Sequence, residues 1–304
     1  MAGQATNERI YDVESSFLRA HSLQCKPIRP HRHTNPMHPM LNIAIRAARA
    51  GGAVIVRHVD RVDTVTVTEK ARNDFVSDVD RLAEEVIVDT ILRSYPNHSI
   101  LAEEGGASGE SEFQWVIDPL DGTTNFLHGL PHYCVSVALI YRGRLDQGVV
   151  FNPINQELFT ATRGAGAQLD NKRIRASQRK GMQRALVGTG FPFRELNHLD
   201  SFMDGVASVT RHAAGIRRSG SAALDLAYVA AGRLDGFWEF GLAPWDMAAG
   251  ALLVREAGGI VTNCEGGEDY MASGNIIAAG PKVIPELSAL IQPHARRRRL
   301  EQSA

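Results

Sequence analysis

The apolar residues of this chain change their spacing along its length, and that change limits the folds open to it. Between Ser99 and Phe151 they come in short runs, Ile100-Leu101, Trp115-Val116-Ile117, Cys134 to Ile140 and Gly148-Val149-Val150-Phe151, separated by Gly, Asp and Pro. Such runs predict buried strands, and Arg142-Gly143-Arg144 predicts the hairpin between the last two. Before them, Met40, Leu41, Ile43, Ala44, Ala47, Ala48, Val54 and Ile55 recur at helical spacing, as do Leu82, Val86, Ile87, Ile91 and Leu92 after Val76-Ser77-Asp78. After them, helices are expected at about 197–211, 222–231 and 244–257, with a strand at 236–239 and with Gly232 and Gly258 as closing C′ glycines. Strands interleaved with helices pack in layers, so the fold class is α/β.

The 304 residues are enough for two subdomains or one large α/β unit. Lys plus Arg is 33 against 34 for Asp plus Glu, a formal charge of −1, so overall charge argues against a nucleic-acid wrapper or an acidic tail protein. The longest nearly apolar stretch, Tyr133 to Tyr141, is too short to cross a bilayer, and no secretory signal pattern opens the chain; a cytoplasmic protein with no membrane partner is expected. Cys25, Cys134 and Cys264 are odd in number and widely spaced, which excludes a disulfide framework and a thiolate zinc site. Residues 1–36 are polar and proline-punctuated and read as a disordered extension, in which His31 and His33, like His38 just beyond it, have no scaffold to orient them as metal ligands. The ordered domain is expected over 37–292, followed by a solvated basic tail, 293–304, that contains Arg296 to Arg299.

No GxGxxG after a strand, GxxxxGK[ST], HExxH or GxSxG is present, so dinucleotide, P-loop, zincin and serine-hydrolase chemistries lose support. The informative segment runs from Trp115 to Phe126. Its apolar strand is expected to end at Asp118, where Pro119 turns the chain and lets Asp118 and Asp121 face one pocket. Crowded carboxylates repel unless a cation lies between them, and all-oxygen ligation suits Mg²⁺ or Mn²⁺. Gly122-Thr123-Thr124 then offers backbone N–H groups at a helix start, which suits phosphate. Metal ligands beside a phosphate cradle are the machinery of phosphate-ester hydrolysis. The same Asp, Pro, Gly and Thr residues also read as an Asx turn and helix cap. Glu103 follows an apolar strand, Asp80 opens a helix that it or Asp78 caps, and Asp246 sits in a first helical turn that favours an acid whatever its role.

Trp115 to Phe126 and Trp245 to Gly259 resemble, along their whole length, the two signatures of the inositol monophosphatase family of lithium-sensitive, Mg²⁺-dependent phosphatases. The likeness runs from Met37 to about Ile291, and His38 to Ala44, Gly190 to Phe193 and Ser219 to Leu226 are particularly similar to its bacterial SuhB-like branch. The resemblance implies a layered α-β-α-β-α sandwich, commonly a homodimer. It also implies hydrolysis of a small phosphate monoester, inositol monophosphate, by a metal-activated water, with two or three Mg²⁺ per site. Glu103, Asp118 and the Leu120 carbonyl match the first metal site, and Asp118, Asp121 and Asp246 the second; Glu103 also matches a weaker third. Thr123 and Asp80, with Glu103, match the groups that orient the attacking water. Gly122 and Thr123 match the phosphate-binding amides, while Asp121, Gly220, Ser221, Ala222, Glu239 and the weaker candidate Arg217 match the substrate pocket, beside Asp246. The SuhB-like branch implies a second reading: an antitermination partner of transcription factors or RNA polymerase in ribosomal RNA synthesis, with phosphatase activity secondary. A third is a phosphatase of other sugar or nucleotide phosphates.

Overall fold

The computed structural model describes residues 38–64, 66–71, 74–193, 196 and 199–302. They belong to one compact unit that begins at Met37; the extension expected over 1–36, with His31 and His33, lies outside the described residues. Helix α1 (Pro39–His58) opens on a proline, whose fixed φ and missing N–H suit a first turn, and on His38, whose Nδ1 accepts the Met40 N–H. A 3-10 turn (Val59–Thr64) leads to a two-stranded antiparallel ribbon, β1 (Val67–Ala71) and β2 (Asp74–Ser77), and then to α2 (Asp78–Leu92).

β3 (Ser99–Ala102), β4 (Gly106–Ser108) and β5 (Phe113–Asp121) come next, followed by the short helix α3 (Thr123–Leu127). β6 (Cys134–Tyr141), β7 (Arg144–Asn152), β8 (Glu157–Thr162), β9 (Gly166–Leu169) and β10 (Lys172–Arg173) complete an eight-stranded sheet in the order β10-β9-β8-β7-β6-β5-β3-β4. The second half of the chain alternates: β11 (Leu186–Thr189), α4 (Leu199–Thr210), β12 (Gly215–Arg217), α5 (Ala222–Ala230), β13 (Gly236–Glu239), α6 (Pro244–Glu256), β14 (Ile260–Thr262), α7 (Tyr270–Ser273), β15 (Ile276–Ala279) and α8 (Ile284–Gln302). Its strands form a five-stranded sheet in the order β12-β11-β13-β15-β14. The backbone of 293–302, expected as part of a tail, is the end of α8.

Strand alternation assigns each side chain to a layer. Trp115, Ile117, Val135, Val137, Val149 and Phe151 join a core with α1 and α2, while Val116, Cys134, Ala138 and Val150, on the other face, join one with α5 and α6. Phe237, Ile276 and Ala278 reach that same middle core from the second sheet, and Trp238, Ile277 and Ala279 turn away toward α4 and α8. The result is the α-β-α-β-α sandwich. Helices α5 and α6, between two sheets, are buried on all sides, and Gly250 lets them close: a Cβ there would stand 2.5 Å from Leu226 Cβ. The segment Pro39–Val62 is long and apolar enough to cross a membrane by length and composition, yet 56% of its most apolar window is buried within this fold, as in a core helix.

β5 does not end at Asp118 as expected. Pairing with β6 runs to Asp118↔Ser136, skips, and resumes at Asp121↔Cys134. Pro119, with no N–H for the ladder, sits in that irregularity, so the chain bulges instead of leaving the sheet.

Candidate active site

The bulge brings Asp118, Leu120 and Asp121 to the mouth of one cavity. Asp118 is buried, and its Oδ1 accepts the Leu120 N–H at 2.9 Å. Glu103 follows β3, the parallel neighbour of β5, and its N–H donates to Ile117 O at 3.2 Å, which sets it beside Asp118. Asp246 comes from the first turn of α6, where its Oδ2 accepts the Ala243 N–H at 2.7 Å. Carboxylate oxygens of Asp118, Asp121 and Asp246 lie within 4.8 Å of one another. With Glu103, Leu120, Gly122, Thr123 and Glu239 they line a cavity of about 460 Å³.

Burial, and after it the neighbouring charges, raises acid pKa values here. Burial pushes Asp118 well above the usual carboxylate range, and the charges of Glu103, Asp121 and Asp246 push it further. Asp121 is raised by burial and held back by hydrogen bonds from Ser221 and Ala223. Glu239 is pushed well up by desolvation and then by Asp246, Asp225 and Asp121, with Arg218 opposing. The charges that act on Asp118 are thus three carboxylates, and every donor in the group is a hard oxygen: the residues present fit Mg²⁺ or Mn²⁺.

Further hydrogen bonds hold the walls. The Thr123 hydroxyl donates to Asp80 Oδ1 at 2.9 Å and has Leu120 O at 3.0 Å as its alternative acceptor. Asp80 Oδ2 accepts the Ser77 N–H at 2.9 Å and the Ser77 hydroxyl, so Asp80 caps α2 and reaches Thr123 with separate oxygens. The N-cap of α2 is Ser77, not Asp78, which is the first helical residue. Across the cavity, Asp121 Oδ2 accepts the Ser221 hydroxyl at 2.6 Å and the Ala223 N–H at 2.7 Å. Gly122 has φ +100°, and a Cβ there would meet His132 O at 3.0 Å, so glycine is required.

Glu103, Asp118, Leu120, Asp121, Gly122, Thr123, Gly220, Ser221, Ala222, Glu239 and Asp246 all line the cavity, and Asp80 joins it through Thr123. Arg217 does not line it. Its guanidinium turns back to Ile216 O, while the next residue, Arg218, lines the cavity and stacks 5.1 Å over Phe193, because successive residues of an extended segment face opposite ways. Sequence reasoning also passed over Asp225, buried in the cavity wall, and Asn125, whose Nδ2 donates to His132 O at 2.7 Å and Ser219 O at 2.8 Å. Asn125 lies inside the 115–126 segment, but of the two partners that give it a task, Ser219 is 94 residues away. Gly190 is another: a Cβ there would fall 1.9 Å from Glu239 Oε1, so a bare backbone makes room for that carboxylate.

A model of the inositol monophosphatase family matches residues 36–296. The chain is 53% identical over 264 residues to the Nus factor SuhB of Pseudomonas aeruginosa, an alignment covering 85% of this chain and 97% of that protein. Among solved structures it is similar to the extragenic suppressor protein SuhB of Bartonella henselae, with 44% identity, TM-score 0.82, and coverage of 84% of this chain and 99% of that one. It is also similar to the inositol monophosphatase of Anabaena, with 38% identity, TM-score 0.73, and coverage of 84% and 95%. By the extent of these matches and the α/β sandwich they share, this chain belongs to the inositol monophosphatase family, in its bacterial SuhB-like branch.

Proposed function

We propose that this phosphatase-family chain is a Mg²⁺-dependent, lithium-sensitive phosphatase that hydrolyses inositol monophosphate. The observation that carries the reading is the convergence of Asp118, Asp121 and Asp246, carboxylates from two distant segments, within 4.8 Å at a cavity wide enough for a sugar-alcohol phosphate. Asp118, Asp121 and Asp246 would hold one Mg²⁺, and Glu103, Asp118 and the Leu120 carbonyl another. When bound, Mg²⁺ supplies a water of lowered pKa and neutralises charge on the phosphoryl oxygens. The protein's part is placement. With its proton given to Asp80, the Thr123 oxygen keeps lone pairs for the attacking water, and Glu103 is the second group that orients it. Ser221 and Ala223 occupy Asp121 Oδ2, which leaves its other oxygen for a cation. Glu239, given room by Gly190, offers acceptors to ring hydroxyls in the same cavity. Free-phosphate release from a panel of inositol, sugar and nucleotide phosphates, with and without Mg²⁺ and Li⁺ at matched ionic strength, tests the reading: no Mg²⁺-dependent release from any of them would refute it.

A second reading is favoured by the relatives themselves, since proteins about half identical along nearly their whole length are named Nus factors. Under it, a cytoplasmic homodimer acts in ribosomal RNA transcription antitermination through transcription factors or RNA polymerase, and hydrolysis is secondary. Complementation by a hydrolysis-dead variant separates the two.

A further inference from the structure

Far from the cavity, the chain between Asn171 and Arg184 carries Lys172, Arg173, Arg175, Arg179, Lys180 and Arg184, and no acid interrupts the sequence between Asp170 and Glu195. All six cations are exposed. In a molecule of net charge −1 this is a local excess that the average conceals.

Backbone contacts hold the segment in place. The Ala176 N–H donates to Ala257 O at the end of α6, Arg175 O lies 3.1 Å from where a Gly232 Cβ would stand at the end of α5, and the Gly181 N–H donates to Lys282 O. Asp246 marks the other end of α6, so the segment is on the order of 15 Å from the carboxylate cluster at 1.5 Å rise per residue.

Nearby acids leave most of the charge uncompensated. Asp235 is buried and takes Arg179 at 3.0 Å with Ser177 and the Leu186 N–H; Glu286 accepts the Met182 N–H, and Asp170 the Leu158 N–H. Arg175 lies near two helix C-termini, whose dipoles favour a cation. Neither argument accounts for Lys172, Arg173, Lys180 and Arg184, which have no ion-pair partner among the described residues.

We propose that this basic segment is a docking surface for the sugar-phosphate backbone of single-stranded nucleic acid. Six cations spread along one exposed segment match a polymer of phosphates better than a single small anion, and four of the six are arginines, whose planar fork suits phosphate. The segment's apolar residues, Ala176, Met182 and Ala185, are buried, and Ile174 is half-buried, so nothing is left to insert into a lipid surface. Its one strand, β10, is paired with β9 at the edge of the eight-stranded sheet, and no helix lies within the segment to enter a duplex groove, which favours a flexible single strand. Binding is backbone-directed and independent of base sequence.

The experiment is fluorescence anisotropy of the full chain with a labelled oligouridylate of about twelve nucleotides, beside a duplex DNA of equal length and phosphatidylserine vesicles. Dissociation constants on the order of 10⁻⁴–10⁻⁶ M are expected at physiological salt. With about four phosphates engaged, affinity should weaken about 50-fold between about 50 and 200 mM salt. Two variants, K172Q/R173Q and K180Q/R184Q, spare Arg179 because it pairs with Asp235 and Arg175 because it lies at two helix C-termini; each should weaken binding and flatten the salt slope, and together they should lose about tenfold or more. Melting temperature and phosphate release should be unchanged, which shows the variants folded and keeps this outcome separate from the hydrolysis reading. Wild-type binding that the combined variant retains in full places the contact elsewhere and overturns the proposal. So does vesicle or duplex binding that exceeds binding to the single strand, or no binding at about 50 mM salt.

Discussion

Ser221 donates its hydroxyl to Asp121 at 2.6 Å across a separation of 100 residues, and this bond joins the N-cap of α5 to the bulge that ends β5. The Ala223 N–H reaches the same oxygen at 2.7 Å. Ser221 was expected to line the substrate pocket; the geometry gives it a second task, the aim of the Asp121 carboxylate. Asp121→Asn should abolish phosphate release, with a loss of about 10²-fold or more in kcat/KM, while the fold survives because shape and volume are kept. Ser221→Ala should cost less, about tenfold, expressed as a higher Mg²⁺ requirement, because the Ala223 bond remains. Titrating activity against Mg²⁺ for both variants checks this; equal loss in the two would remove Ser221 from a supporting role.

Asp80 serves α2 with one oxygen and Thr123 with the other. Replacing the acid therefore mixes a capping defect of about 1 kcal/mol with any catalytic effect, whereas Thr123→Val deletes only the hydroxyl. Thr123→Val should lower kcat about 10²-fold with only a modest drop in melting temperature from the lost bond to Asp80, and Thr123→Ser should restore most of both. A fully active valine variant would show that Thr123 does not orient the water.

The folded state raises the pKa of Asp118 above its ordinary 3.8, so between that value and the folded one the native protein binds more protons than the unfolded chain. Without divalent cations, stability should therefore fall as pH rises through this window. A cation among the carboxylates removes the cause, and binding to the folded state alone stabilises it by mass action. Thermal scans from acid to neutral pH, in EDTA and in Mg²⁺ at matched ionic strength, should diverge most at neutral pH; coincident curves would contradict a clustered acidic site.

Asn125 holds Ser219 and His132 by their carbonyls, and Gly220 packs so close that a Cβ would stand 2.8 Å from Asn125 Nδ2. Asn125→Asp keeps the shape but removes the donors. It should raise KM for inositol monophosphate several-fold, while p-nitrophenyl phosphate, which has no ring hydroxyls to place, loses less. Parallel losses on both substrates would mean the clamp supports the whole cavity and not its alcohol side.

Glu103→Gln neutralises a cavity-lining carboxylate without opening a void. If hydrolysis is what the cell needs, the folded, inactive variant should fail to complement a deletion strain; if a transcription partner needs only the surface, it should complement. Phosphate release and partner capture measured on the same preparation make either result decisive.

The interleaved strand and helix patterns were enough to expect layered α/β packing, while the order of the five layers was implied by the family resemblance. The run of buried apolar residues from Met247 to Val254 has no polar face, so a helix there must lie between two layers, and α6 does. Alternation along Trp115-Val116-Ile117 sends neighbours into opposite cores, and Gly236–Glu239 is a strand as read. The 186–189 strand, the five-stranded sheet it joins and the Val67–Ser77 ribbon escaped reading, because short strands flanked by small residues carry little periodicity.

Acid residues at strand and helix ends were legible as candidates because Asp, Pro and Gly leave a local trace, yet each kept a bland alternative as a cap or turn. Tertiary structure shows which of them meet at one cavity, and there Asp80 and Asp246 also cap, since a carboxylate has two oxygens and can cap with one. The choice of Arg218 over Arg217, the Asn125 clamp and the Gly190 cradle for Glu239 depend on which segments meet across the cavity. Local sequence specifies periodicity and backbone preference within a few residues; the meeting of β5, α5 and α6 is settled only when three separate cores pack at once.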